Sequence, residues 1–259
     1  MEIGVSSACF YPAHTEDGAR QLSRLGIRRI ELFLNTFQEL EPSYAGALRR
    51  QLADDGLEVV SLHPFTSGME TFFFATAYDR RLEDGIALYR RLFEAAAGYG
   101  AKIFVVHGGY KTSPYPFERY CENFARLADV AREYGVTLCQ ENVVRCQCGS
   151  LENIRRMRQL LGERAHFVLD LKQAIRSGED IFEMARAMGP ALAHIHLSDH
   201  TPGKDCLPPG RGAFDFASFF SLLKEISYQG ALILELYRGN FKDLADLRDA
   251  VLFLRQFDQ

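Results

Sequence analysis

Val136–Asp170 reads VTLCQENVVRCQCGSLENIRRMRQLLGERAHFVLD. An apolar run at 136–142, a helical pattern at 151–162 and a second apolar run at 165–170 form one strand–helix–strand unit. Each of its strands ends in a carboxylate, Glu141 and Asp170. The pattern continues outward: AHIHLSD (193–199) carries His196 near its end, and GALILELY (230–237) carries Glu235. Glu141, Asp170, His196 and Glu235 are successively 29, 26 and 39 positions apart. That is close to one β/α repeat of about 30 residues per step.

The same alternation runs from end to end. Strands are predicted at 2–8, 28–34, 57–63, 101–107, 136–142, 165–170, 192–198 and 230–236. Between and after them lie helical patterns such as HTEDGARQLSRLG, YDRRLEDGIALYRRLFEAAAGYG, FERYCENFARLADVAREYG and FKDLADLRDAVLFLRQF, several stopping at a glycine. Eight alternations in 259 residues predict an α/β fold, a single (β/α)8 TIM barrel occupying 1–259 as one domain. Side chains alternate faces along a strand. One phase is apolar (Ile30, Leu32, Phe104, Leu169, Ile195, Leu232, Leu234) and should face the helices. The other holds Glu31, His63, His107, Glu141, Asp170, His194, His196 and Glu235, pointing into the barrel. Burying that many ionisable groups costs several kcal/mol each unless they are paired or bind metal, so the inner phase points to chemistry.

A net charge of −4 offers no basic stripe for nucleic acid and no polybasic membrane anchor. No apolar run approaches the roughly 18 residues of a spanning helix, and the start, MEIGVSSACFYPAH, lacks a cationic, apolar signal segment. A soluble, cytoplasmic protein without nucleic-acid or membrane partners is expected. The six cysteines match no zinc-finger spacing and read as plain thiols; Cys146-Gln-Cys148 is a weak soft-metal candidate.

Three carboxylates and an imidazole at one barrel mouth make a hard, oxygen-rich site suited to Mn²⁺ or Mg²⁺. Pairing with Lys111, Arg145, Lys172, Arg211 or Arg238 is the alternative explanation of these groups. His63 in SLHPF and His107 in VVHGG end adjacent strands and read as substrate contacts. Glu31 is open between orienting substrate and pairing with a base. His194, one layer below His196, reads as a supporting hydrogen-bonder, and Asp199 as a group that orients a ligand or a lysine at the mouth. Arg211, in CLPPGRGAFDF, could hold a phosphate or carboxylate. Phe72-Phe73-Phe74 falls in a long, poorly patterned loop, either a lid or aromatic packing.

The segments RRIELFL, SLHPF, VVHGG, CQENV, DLKQA, HIHLSDH, LPPGRGAFDF and ILELY occur in an order that resembles the xylose isomerase-like superfamily of sugar and sugar-phosphate isomerases and epimerases. The resemblance implies that Glu141, Asp170, His196 and Glu235 ligate one divalent metal, Mn²⁺ first, with Mg²⁺, Co²⁺ or Zn²⁺ as alternatives. It also implies that Glu141 and Glu235 act as acid and base on opposite faces of a small carbohydrate, and it leaves a homo-oligomer open. Two departures stand out. Gln173 replaces the histidine of an Asp-x-x-His motif, and Lys172 inside DLKQA is unusual; it could recognise a substrate anion. Without that histidine, and with no His in RGAFDF, the zinc cluster of endonuclease IV relatives is incomplete, which argues against DNA repair.

The reading that results is a metal-dependent sugar isomerase or epimerase working through a stabilised enediolate. Alternatives are a lyase of the inosose-dehydratase kind, a Schiff-base aldolase using Lys172, and a barrel that binds sugar without turnover.

Overall fold

The structure, a computed structural model, describes residues 3–257. Eight parallel strands close a barrel: β1 (Ile3–Ser6), β2 (Arg29–Phe33), β3 (Glu58–His63), β4 (Ile103–Val106), β5 (Thr137–Glu141), β6 (Phe167–Asp170), β7 (Leu192–Leu197) and, after a hairpin, β10 (Ala231–Leu234). The hairpin is β8 (Asp199–Thr201) and β9 (Lys204–Leu207), antiparallel and outside the barrel. Every predicted barrel strand is found, shortened by at most two residues at either end; Glu2, at the start of the first, lies outside the described residues.

The helices are α1 (Thr15–Arg24), α2 (Pro42–Asp54), α3 (Ser67–Phe74), α4 (Asp79–Tyr99), α5 (Phe117–Glu133), α6 (Leu151–Leu161), α7 (Leu171–Ser177), α8 (Ile181–Met188), α9 (Phe216–Glu225) and α10 (Leu244–Arg255). Their ends follow from local chemistry. Ser150 accepts a hydrogen bond from Asn153 N to start α6, and Gly100 stops α4 at φ 88°, a left-handed conformation that costs glycine nothing. Two helices depart from the sequence reading. Phe72, Phe73 and Phe74 lie on α3 rather than in a loop; Phe74 is buried edge-on against Tyr89, while Phe72 is exposed beneath the Arg81 guanidinium. The second, α7, begins immediately after Asp170 and contains Lys172 and Gln173.

The strand phases are as predicted. Ile30, Leu32, Phe104, Leu169, Ile195, Leu232 and Leu234 join the layer between sheet and helices. Inside the barrel a small apolar plug of Val105, Cys139 and Val168, with Ile103 and Ala193 against it, closes the floor. Gly4 contributes by having no side chain: a Cβ there would lie 2.5 Å from Arg29 O and 2.8 Å from Ile233 Cδ1. Above that floor the inward positions become ionisable. Register fixes them in rows, with Asp170 opposite His196 across β6 and β7, and Ser6, Glu31 and Ser61 level across β1, β2 and β3.

Candidate metal and active site at the barrel mouth

Glu141 and Asp170 are the last residues of β5 and β6, His196 is the penultimate residue of β7, and Glu235 follows β10. Their inward side chains converge. His196 Nδ1 lies 3.4 Å from Glu235 Oε2, 3.6 Å from Asp170 Oδ2 and 3.7 Å from Glu141 Oε1. One donor atom from each of the four lies within 4.8 Å of all the others. The Lys172 ammonium reaches back from α7 and bonds both Asp170 Oδ2 and Glu235 Oε2. Ion pairing, the competing explanation of these carboxylates, is therefore present at two of them, alongside the clustering.

A second layer sits beneath. Glu31 is fully buried and accepts from Ser6 Oγ (3.0 Å) and Ser61 Oγ (2.9 Å), with His194 Nε2 and His196 Nε2 each 3.1 Å away. It does not reach the cavity above, so of its two sequence readings the structure shows pairing with bases. Because His196 Nε2–H donates to Glu31, the ring's Nδ1 is left facing the three carboxylates, buried and without a hydrogen-bond partner. Burial alone would lower the His196 pKa, yet the Glu31 and Glu235 carboxylates hold it well above the ordinary value. The field at Nδ1 therefore calls for positive charge. His194 is held below its ordinary value by burial.

On the opposite side, His107 Nε2 lies 3.0 Å and His63 Nε2 3.7 Å from Glu141 Oε2, and the two imidazole nitrogens are 3.0 Å apart. Burial would raise the Glu141 pKa, but His107 and its neighbours keep the carboxyl well below the usual range. Burial likewise opposes the charge on His63, but Glu141 and the surrounding carboxylates raise its pKa to about 9. His63, His107, Glu141, Lys172 and Glu235 line a cavity of about 220 Å³, walled by Tyr11, Phe33 and Tyr237.

Sequence reading missed Glu70. Buried on α3, it accepts hydrogen bonds from His107 N (2.7 Å), Gly108 N (2.6 Å) and Tyr89 Oη (3.1 Å), so it fixes the backbone that carries His107. The available signal was a lone carboxylate ahead of the Phe72-Phe73-Phe74 run in SGMETFFF.

Other expected residues lie elsewhere or act differently. Gln173 lines the cavity; its backbone N donates to Asp170 Oδ1 and its Oε1 accepts from Val144 N, which ties the β5 and β6 loops together. Asp199 is engaged with backbone. Its carboxylate accepts four backbone N–H groups, from His200, Gly210, Gly212 and Phe214, and so shapes the PPGRGAF turn. Arg211 in that turn is exposed, 3.7 Å from Asp246, and lines a separate surface depression. All six cysteines are free and buried. Cys146 and Cys148 belong to none of the metal-competent groups among the described residues, and burial pushes the Cys146 thiol up to about 12.

The family model described as xylose isomerase-like TIM barrel matches residues 19–257. The chain belongs to that family. Among its relatives, 3-dehydro-D-guloside 4-epimerase of Escherichia coli K12 is 23% identical, over 98% of this chain and 99% of that protein. An uncharacterized protein of Mycobacterium tuberculosis H37Rv is 26% identical, over 97% of this chain and 94% of that one. Among solved structures, D-psicose 3-epimerase from Clostridium cellulolyticum H10 with D-tagatose superposes with a TM-score of 0.83 at 16% identity, covering 99% of both chains. The expectation of an enzyme of the sugar isomerase and epimerase kind agrees with these relatives. No helix among the described residues is long and apolar enough to cross a membrane.

Proposed function

We propose that this protein is a divalent-metal-dependent isomerase or epimerase of a small sugar, sugar acid or sugar phosphate, with Glu141 and Glu235 as its acid–base pair. One observation carries the reading. The His196 Nδ1 atom, buried and unpartnered, faces three carboxylates while its Nε2–H is spent on Glu31. An imidazole anchored through one nitrogen by a carboxylate, with the other nitrogen turned toward further carboxylates, is how proteins present histidine to a metal. Glu141, Asp170, His196 and Glu235 would hold the ion, and oxygen-rich donors favour Mn²⁺ or Mg²⁺, with Co²⁺ or Zn²⁺ as the alternatives.

When bound, the ion supplies Lewis acidity that polarises a substrate carbonyl beside the exchanged carbon. The rest is done by the chain. For epimerisation one glutamate removes the carbon-bound proton and the other returns one on the opposite face; for isomerisation the glutamate that removed the proton returns it to the adjacent carbon on the same face. Glu141, whose carboxyl stays ionised beside His107, is suited to accept a proton. His63 and His107, beside Glu141 at the cavity wall, stand where sugar hydroxyls would lie, and Tyr11, Phe33 and Tyr237 would keep water from the exchanging carbon.

Two measurements test this. Elemental analysis after Mn²⁺ loading and desalting should find bound metal that is lost in Glu235→Ala. In D₂O, a panel of ketoses and keto-sugars should yield one substrate that takes up deuterium at carbon, with exchange abolished in Glu141→Gln and Glu235→Gln while circular dichroism is unchanged. Full exchange in either glutamine variant would sink the assignment.

A further inference from the structure

Lys172 is the one group in the cage that the proposed chemistry does not use. It is only 3% exposed, yet its ammonium is bonded to Asp170 Oδ2 and Glu235 Oε2. Those same two oxygens stand 3.6 and 3.4 Å from His196 Nδ1. A cation held by His196 Nδ1 and these carboxylates would draw on lone pairs that the ammonium now takes. Two positive charges cannot share them at contact distance without strong repulsion in so dry a place. Lys172 also has somewhere to go. Its Nζ lies 5.6 Å from the ring centroid of Tyr237, which is 47% exposed, and both residues line the 220 Å³ cavity. A four-carbon stem lets the ammonium turn about an α7 backbone that stays fixed.

We propose that Lys172 is a tethered counter-cation of the carboxylate cage. It balances Asp170 and Glu235 in the metal-free protein and must be turned out toward Tyr237 when a divalent ion binds, so it weakens and gates metal loading. The inference rests on the metal-site reading above. In the loaded protein the ammonium faces the cavity, and among the described residues lining that cavity it is the only Lys or Arg.

A single neighbouring charge shifts the ionisation equilibrium of a carboxylate by about one to three decades. Removing the ammonium should therefore tighten Mn²⁺ binding at least about tenfold. The experiment is a titration of metal-free wild type and Lys172→Met with Mn²⁺, following free Mn²⁺ by electron paramagnetic resonance. Tighter binding in the variant supports the proposal. Equal or weaker binding overturns it while leaving the metal site standing, whereas no Mn²⁺ binding by either protein overturns both. Should Lys172→Met fail to fold, wild type alone decides. Acetylation of lysine amines, read by peptide mass spectrometry, should leave Lys172 protected in metal-free protein and modify it severalfold faster at saturating Mn²⁺. Undiminished protection in the loaded protein would overturn the proposal.

Discussion

Replacing Glu70 by alanine should loosen the mouth from outside the metal cage. The lost carboxyl group accepts from the half-buried His107 amide and the buried Gly108 amide. An amide deprived of its partner in a dry interior costs about 1–3 kcal/mol. Two such amides give roughly 2–6 kcal/mol, a large part of the 5–15 kcal/mol that stabilises an ordinary domain. The Tyr89 hydroxyl adds little, since it keeps Thr66 Oγ1 at 2.8 Å. For a chain of this size each kcal/mol moves Tm by about 2–4 °C, so Glu70→Ala should melt at least about 4 °C below wild type. Glu70→Gln retains one oxygen that can accept from an amide, and should fall between the two. Calorimetry and urea titration of the metal-free proteins measure the difference. If Glu70→Ala melts within a degree of wild type, or glutamine and alanine are equally damaging, the carboxylate is not what holds the His107–Gly108 backbone.

Three further outcomes follow from the geometry. Gly108→Ala should be worse than an ordinary substitution: at φ 83° the new Cβ would run into Tyr120 Oη and lie 2.8 Å from Gln140 Oε1, so soluble yield and Tm should both fall. His63, with its pKa raised to about 9 from an ordinary 6.5, contributes stability fully present below pH 6.5 and lost as pH rises through 9. Its upper bound is on the order of 3 kcal/mol; Tm of metal-free wild type should decline over that window more steeply than Tm of His63→Gln. Asp199→Ala strands four backbone donors and should expose the PPGRGAF turn to protease, whereas Arg211→Ala, on its exposed rim, should not; limited proteolysis separates them.

Much of this architecture is legible in the chain because period-two alternation and strand-end chemistry are local signals. The apolar phase of Leu232 and Leu234 and the ionisable phase of Glu141 and Glu235 separate by parity alone. The illegible parts depend on chain direction after a strand ends. DLKQA shows a lysine near Asp170, but only the turn into α7 sends its ammonium back between Asp170 and a glutamate 63 positions away. In SGMETFFF three consecutive phenylalanines mask the helical spacing of Ser67, Glu70 and Thr71, so Glu70 is not legible as a site residue. Asp199, beside His196 in HIHLSDH, reads as part of the chemistry, yet its neighbours in space are the amides of a turn 11 to 15 residues downstream.

The apolar plug of Val105, Cys139 and Val168 fills the barrel beneath the site. In the proposed reaction ion, sugar and solvent protons would all arrive from the opposite end, with the ion's place the deeper one, against His196. Order of arrival then becomes a property of the architecture. A sugar seated over the carboxylates would shut the proposed ion in, and a departing ion would wait for the sugar to leave first. The barrel is in this sense a dead-end street whose innermost resident turns over most slowly, and a chelator should empty it faster from the resting protein than from the protein at work.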